Sequence, residues 1–212
     1  MSAVSPYLPQ LLIAWTAYFI AVVSPGPAIL AIISTSISQG RRGGLSLAAG
    51  VLTGSYTWAM LTASGLSALI RTYGQAIVFL KIAGGCYLLW LAFNAARSAL
   101  RKDEAVLASR KTPVPLTSLY LKGLGIHLTN PKAIFGWIML VSIGMPAGAP
   151  TNVTVVFIGG CMIIGMIVFS GMALVFSLRP VNRAYVKGRR LIESAMAGFF
   201  AFAGVQLLTS RL

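Results

Sequence analysis

The chain has 212 residues, of which 57% are hydrophobic and only 9% are charged. A folded soluble domain covers its surface with Lys, Glu, Arg and Asp, so this composition excludes a soluble globular protein and predicts an integral membrane protein. The net charge of +14 does not indicate a nucleic-acid partner, because the basic residues lie in short loops between apolar runs.

Six long apolar runs follow one another along the sequence, and a transmembrane helix needs about 20 such residues. These runs lie near residues 8–38, 45–70, 75–97, 116–143, 153–178 and 191–210. We therefore predict an all-α membrane protein with six transmembrane helices, in a single transmembrane domain over residues 1–212. Since six is an even number, both termini are expected on the same side of the membrane.

Basic residues outside these runs are distributed unevenly between the two sides. The loops after the first, third and fifth runs hold twelve of them, whereas the opposite side holds only Arg71 and Arg211. Cytoplasmic loops carry an excess of Lys and Arg, so these three loops are predicted in the cytoplasm and both termini in the periplasm or outside the cell.

The first apolar run is interrupted by Ser24-Pro25-Gly26-Pro27. Proline has no N–H to donate and clashes with the carbonyl four residues earlier, so the interruption leaves backbone groups unpaired inside the segment. Non-helical backbone at that depth must be buried in protein or face a polar cavity. A binding site would explain the break, and so would a proline kink that only shapes packing.

The second and third runs carry features with two explanations each. Gly50 and Gly54 have the small-residue spacing that lets helices approach closely, either inside the bundle or at a homodimer face. Lys81, one to two turns inside the third run, can snorkel outward or face a site. Cys86 and Cys161 lie in separate runs without metal-ligand spacing, so we predict apolar packing for both, and no metal or cofactor.

The longest polar linker, near residues 98–115, divides the apolar runs into three and three. Each half then has an odd number of helices, so the second half must be inserted upside down relative to the first, as in transporters built from inverted repeats. We predict repeat one over about residues 8–97 and repeat two over about residues 116–210. Broken helices 1 and 4 are the feature that the two repeats share.

Asn130, Pro131 and Lys132 form the break in the fourth run. Lys132 lies near the middle of the membrane, where an ammonium group costs at least about 2.5 kcal/mol. It is therefore expected to face the interior and to bind carbonyls of the broken helix, a substrate carboxylate, or both. Asn130 can cap the following half-helix or contact a ligand.

His127 is the only histidine of the chain. An ordinary imidazole pKa near 6.5 suits a proton carrier, and a hydrogen-bonded helix contact is the alternative role. Asp103, Glu104 and Glu193, the only acids, lie outside the middle of the membrane. An anionic or zwitterionic ligand is therefore favoured over a cation.

These motifs together resemble those of the LysE/RhtB family of bacterial amino-acid exporters. The similar residues are the Ser-Pro-Gly-Pro break, the loop at 40–44, the glycines at 50 and 54, and the stretches at 81–91 and 130–133. The resemblance implies a six-helix exporter of amino acids or close derivatives in the bacterial inner membrane, driven by the proton gradient, and no enzymatic activity. Many members carry an acidic or amide residue directly after Pro-Gly-Pro, where this chain has Ala28, so His127 is a candidate replacement as proton carrier.

We therefore predict alternating-access export of a small zwitterionic amino acid from a site between the two breaks. The predicted substrate-binding residues are Ser24, Pro25, Gly26, Pro27, Lys81, Asn130, Pro131 and Lys132, with His127 for proton coupling.

The predicted partners are the amino-acid substrate, the lipid bilayer and a second copy in a homodimer, with no nucleic acid. Two other classes of function remain open. A membrane thiol-disulfide electron carrier would need a cysteine pair beside the breaks. A channel or non-transporting scaffold would show neither saturation nor trans-stimulation.

Overall fold

The structure, a computed structural model, describes residues 4–24, 26–66, 82, 85–86, 89–90, 92–97, 99–100, 113–145 and 149–209. These residues form helices and connections, without a strand among them, which confirms the prediction of an all-helical chain for this part. The α-helices are α1 (Leu8–Val23), α2 (Pro27–Leu61), α3 (Leu116–Leu128), α4 (Pro131–Gly144), α5 (Thr151–Phe176) and α6 (Arg179–Thr209). A 3-10 turn, Ser5–Tyr7, precedes α1, and a π-helical turn, Thr62–Leu66, follows α2.

The first predicted break is present between α1 and α2. Ser24 leaves the helical conformation with a ψ of 130°, and Gly26 is fully extended. Pro27 then starts α2 at a position where the missing N–H costs nothing. Pro25 lies outside the described residues, so the interruption is defined by the residues on either side of it.

Gly40 divides α2 into a first arm, residues 27–39, and a second arm, residues 41–61. Its φ of 72° lies in the left-handed region, which glycine adopts at little cost. The two arms fold back on each other, as the contact of Gly44 with the side chain of Ser36 shows. In a continuous helix these two residues, eight positions apart, would be separated by about 12 Å. The predicted loop is therefore a single-residue turn, after which the helix resumes at once.

The second arm of α2 packs closely on α3 through glycines. Gly50 lies against the backbone carbonyl of Tyr120, and Gly123 of α3 lies in turn against the carbonyl of Leu47. A Cβ atom on Gly54 would be 2.9 Å from the Cβ atom of His127. Of the two explanations for the small-residue spacing, packing inside the bundle is the one observed, and the homodimer stays a prediction.

The second predicted break is also present, since α3 ends at Leu128 and α4 begins at Pro131. Both breaks thus separate a pair of helices within one apolar run of the sequence. The helix that contains the sixth apolar run, predicted near residues 191–210, begins earlier, at Arg179. Lys and Arg are good helix formers, so α6 extends beyond the apolar part of its sequence.

Buried apolar clusters hold the bundle together, and α5 contributes to two of them. One contains Leu11, Trp137 and Phe157, and the other contains Ile32 and Val51 with further residues of α2, α3 and α5. Two stretches in the described part are long and apolar enough to cross a membrane, Ser5–Val23 and Thr151–Phe176. The count of six spanning helices and their inverted arrangement stay predictions.

Some predicted features fall on residues that the structure does not describe. Lys81, most of the third apolar run at 75–97 and most of the linker at 98–115 are among them. The division into two repeats stays a prediction.

Candidate functional site

A cavity of about 50 Å³ lies where the two helix breaks meet. Since one water occupies roughly 10–15 Å³ on this measure, the cavity has room for a few water-sized groups, so its size is suited to a small ligand. Five helices, α1 to α5, contribute to its wall. The lining residues are Tyr18, Ala21, Val22, Ser24, Gly26, Ala28, Ile29, Ser55, His127, Asn130, Lys132, Ala133, Gly136, Trp137, Leu140 and Phe169.

Lys132 joins the second break to the first. Its Nζ atom donates a hydrogen bond to the backbone carbonyl of Ser24 over 2.7 Å. The first break interrupts the helical ladder after this carbonyl, which would otherwise accept from an N–H one turn later. A Cβ atom added to Gly26 would lie 3.4 Å from both Cδ and Nζ of Lys132. The predicted contact between Lys132 and a carbonyl of the broken helix is thus observed.

Asn130 caps α4 and fixes the start of the half-helix. Its Oδ1 atom accepts a hydrogen bond from the backbone N–H of Lys132 at 3.1 Å, and only 4% of the residue is exposed. The cap satisfies one of the N–H groups that every helix leaves unpaired at its start. Of the two roles left open by the sequence, capping is observed, and Asn130 also lines the cavity.

The Lys132 end of the cavity favours negative charge. The N–H groups of Ala28 and Ile29, in the first turn of α2, have no acceptor within their own helix, and both residues line the cavity. Helix N-termini attract anions, and the Lys132 ammonium adds a full positive charge. None of the lining residues that the structure describes is acidic.

His127 lies in the last turn of α3 with 6% of its surface exposed. Among the described residues, neither ring nitrogen has a hydrogen-bond partner. The ring contacts Phe169 edge-on, with 6.2 Å between ring centroids. The alternative of a hydrogen-bonded helix contact is therefore not what the described residues form, and a buried polar ring stays unpaired at the cavity wall.

Three polar side chains away from Lys132 were not among the predicted site residues. Trp137 Nε1 donates to Ser55 Oγ at 3.1 Å, and the hydroxyls of Ser55 and Tyr18 share a hydrogen bond of 3.2 Å. The rings of Tyr18 and Trp137 pack with centroids 5.3 Å apart. We call these three residues the hydroxyl end of the cavity. Tyr18 on α1 and Trp137 on α4 lie five or six residues from the breaks, and this distance is the signal that could have found them. Ser55 is close to neither break in the sequence.

The structure places only part of the predicted site at the cavity. Lys81 and Pro25 lie outside the described residues. Lys122, a further lysine within an apolar run, is exposed on α3 and does not line the cavity. Pro27 and Pro131 start their helices but do not line the cavity. Both cysteines are free thiols, Cys161 buried in the core and Cys86 exposed, and neither is beside a break, as an electron carrier of the predicted kind would require.

The family model described as LysE type translocator matches residues 19–211. The threonine efflux protein of Escherichia coli strain K12 is 29% identical to this chain over 202 residues, which cover 92% of this chain and 95% of that protein. The homoserine/homoserine lactone efflux protein of Salmonella typhimurium is 28% identical, with 93% and 97% covered. The leucine efflux protein of Enterobacter sp. strain 638 is 27% identical, with 88% and 92% covered. No solved structure shows a significant match.

Proposed function

This chain belongs to the LysE type translocator family, and on that premise we propose that it exports amino acids or their close derivatives across the bacterial inner membrane. The observation that carries the proposal is the cavity at which both helix breaks meet, with Lys132 bonded across it to Ser24. Relatives named for efflux of threonine, homoserine and leucine support a small amino acid as substrate.

The substrate carboxylate binds at the Lys132 end. The ammonium group and the first N–H groups of α2, at Ala28 and Ile29, supply the positive charge and the donors that a carboxylate needs. Ser24, Gly26 and Asn130 complete this end. Pro25, Pro27 and Pro131 act by interrupting the helices, and Lys81 is a further binding residue of the third segment.

Transport follows alternating access between two inverted three-helix repeats within one domain, residues 1–212. In such transporters the substrate binds near the membrane midplane, where broken helices of the two repeats meet. The bond between Lys132 of the second break and Ser24 of the first is the arrangement expected at such a repeat interface. Twelve basic residues in three loops, against two on the other side, support cytoplasmic loops and periplasmic termini.

Export is coupled to protons through His127. Ala28 occupies the position directly after Pro-Gly-Pro, so no carboxylate is available there. Among the lining residues that the structure describes, His127 is the one with an imidazole ring, a group that commonly carries protons in proteins. Its ring nitrogens, which have no partner among the described residues, are available to take up and release a proton.

Counterflow in proteoliposomes tests the export function. Purified protein is reconstituted into vesicles loaded with one unlabelled amino acid at a time, and the uptake of the same labelled amino acid is measured. We expect transient accumulation for at least one small amino acid, and its loss in Lys132→Ala. Lys122→Ala is the matched control, because it removes an exposed lysine of α3.

Three outcomes would overturn the proposal. Failure of every amino acid in the panel would exclude an amino-acid exporter. Equal counterflow by the wild type and Lys132→Ala would exclude the proposed site. Flux without saturation or trans-stimulation would favour a channel.

A further inference from the structure

The three residues at the hydroxyl end of the cavity have more hydrogen-bond donors than they form hydrogen bonds. Trp137 has one indole N–H, and Tyr18 and Ser55 each have one O–H. Only two hydrogen bonds join them, from Trp137 to Ser55 and between Ser55 and Tyr18. All three residues are at least 98% buried.

The two bonds leave one hydroxyl hydrogen over, whichever hydroxyl donates in the shared bond. If Tyr18 donates to Ser55, then Ser55 keeps its own hydrogen, and if Ser55 donates, Tyr18 keeps its hydrogen. The described residues offer no acceptor for it. Buried donors are nearly always paired, because leaving one unpaired costs the desolvation of the group. Both hydroxyl residues line the cavity, so an acceptor on a ligand can take this hydrogen.

We propose that Tyr18 and Ser55 bind an oxygen in the side chain of the exported amino acid, and that the protein prefers small hydroxyl amino acids to apolar ones of the same shape. This inference rests on the proposed function, since it places the carboxylate of the same substrate at Lys132. It adds the residues that select the side chain, which the family membership does not supply.

The two ends lie in one small cavity. Trp137, whose indole donates to Ser55, follows Lys132 by five residues on α4, so their Cα atoms are about 7.5 Å apart along the helix axis. Because both ends line the same cavity, one small molecule can contact both. Between the ends the wall is apolar, with Leu140 and Phe169, so a polar group of the substrate finds partners only at the two ends and at His127.

A hydroxyl is the side-chain oxygen that the cavity fits best. A second carboxylate would bring a negative charge to a buried end of the cavity that has no cation among its described residues. The hydroxyl is both neutral and compact.

The test compares two substrates that differ in one group. Threonine and valine have nearly the same shape, with a hydroxyl in one where the other has a methyl. The ratio of their initial counterflow rates is measured for the wild type, Ser55→Ala and Tyr18→Phe. Because the ratio is taken on one protein sample, differences in yield or reconstitution cancel.

Two control variants lack a hydroxyl outside the cavity. Thr57 lies two residues after Ser55 on the same helix, and its hydroxyl donates only to the carbonyl of Thr53. Thr57→Ala removes this hydroxyl. Tyr120→Phe removes a phenol that donates to the Thr53 hydroxyl. Both controls are expected to keep the threonine-to-valine ratio of the wild type.

We expect the wild type to prefer threonine, and Ser55→Ala and Tyr18→Phe each to lower the ratio by about ten-fold, as the loss of one buried hydrogen bond would. If one variant does not fold, the other carries the test. An unchanged ratio in the variants, or a wild type that moves valine as fast as threonine, overturns the inference and leaves the exporter intact. A wild type that moves neither these nor any other amino acid overturns the proposed function itself.

Discussion

Gly50→Ala tests the close packing that places α3 and His127 at the cavity. The added Cβ atom would overlap the carbonyl oxygen of Tyr120 and lie 2.8 Å from the backbone nitrogen of Leu124. Both neighbours are backbone atoms, so no side-chain rotation relieves the clash, and the helices must move apart. Overpacking of this kind costs typically about 1–3 kcal/mol, whereas alanine gains about 0.8–1 kcal/mol in helix propensity. We expect a net loss of up to about 2 kcal/mol in the free energy of unfolding.

Gly159→Ala is the matched control for this prediction. Gly159 is a helical glycine of α5, and a Cβ atom there would have no neighbour within 4 Å. Only helix propensity then acts, so the variant should equal the wild type or exceed its stability by up to about 1 kcal/mol. The assay is reversible unfolding in mixed micelles, followed by tryptophan fluorescence. If both variants unfold with the same free energy, the close contact between the second arm of α2 and α3 is wrong.

Three further variants separate transport from stability. Lys132→Met should lower counterflow at least ten-fold with only a small change in stability, and full activity would contradict this prediction. The stability changes little because the variant loses a charged hydrogen bond of about 1.5–3 kcal/mol but no longer buries an ammonium group, which costs at least about 2.5 kcal/mol. Asn130→Ala should cost about 1 kcal/mol in the unfolding assay, as the loss of a helix cap does, and an unchanged value would show that the cap is dispensable. His127→Ala should remove the pH dependence of export while exchange of substrate continues, and an unchanged pH profile would exclude His127 as the proton carrier.

The two helix breaks could be predicted because their cause is local. Proline cannot continue a helix ladder wherever the chain goes next, so Pro27 and Pro131 identify the interruptions from sequence alone. The position of Lys132 inside an apolar run likewise limited it to an interior role. Which acceptor it binds could not be predicted, because the carbonyl of Ser24 is 108 residues away in the sequence and becomes a neighbour only in the fold.

The hydroxyl end was missed for a different reason. Tyr18, Ser55 and Trp137 each have an ordinary role as residues of a membrane helix, as interfacial anchors or small packing residues. They matter because their three hydrogen-bond donors form only two hydrogen bonds with one another, and this excess is visible only when three helices bring the side chains together. The turn at Gly40 was located by its sequence, but its length depends on a left-handed φ that a glycine permits and does not require.

The charge on the transported species decides what can drive export, and it gives the proposed coupling a measurable consequence. A zwitterionic amino acid carries no net charge, so its movement alone does not respond to the membrane potential. If His127 returns one proton for each amino acid exported, each cycle moves one charge inward, worth about 2.3 kcal/mol at 100 mV. That energy supports a substrate gradient of roughly 50-fold at equal pH on both sides.

In vesicles with an imposed potassium diffusion potential, the wild type should build such a substrate gradient, whereas His127→Ala should only equilibrate the substrate. A wild type that only equilibrates under this potential would mean electroneutral transport, and the buried imidazole would then have to serve substrate binding instead.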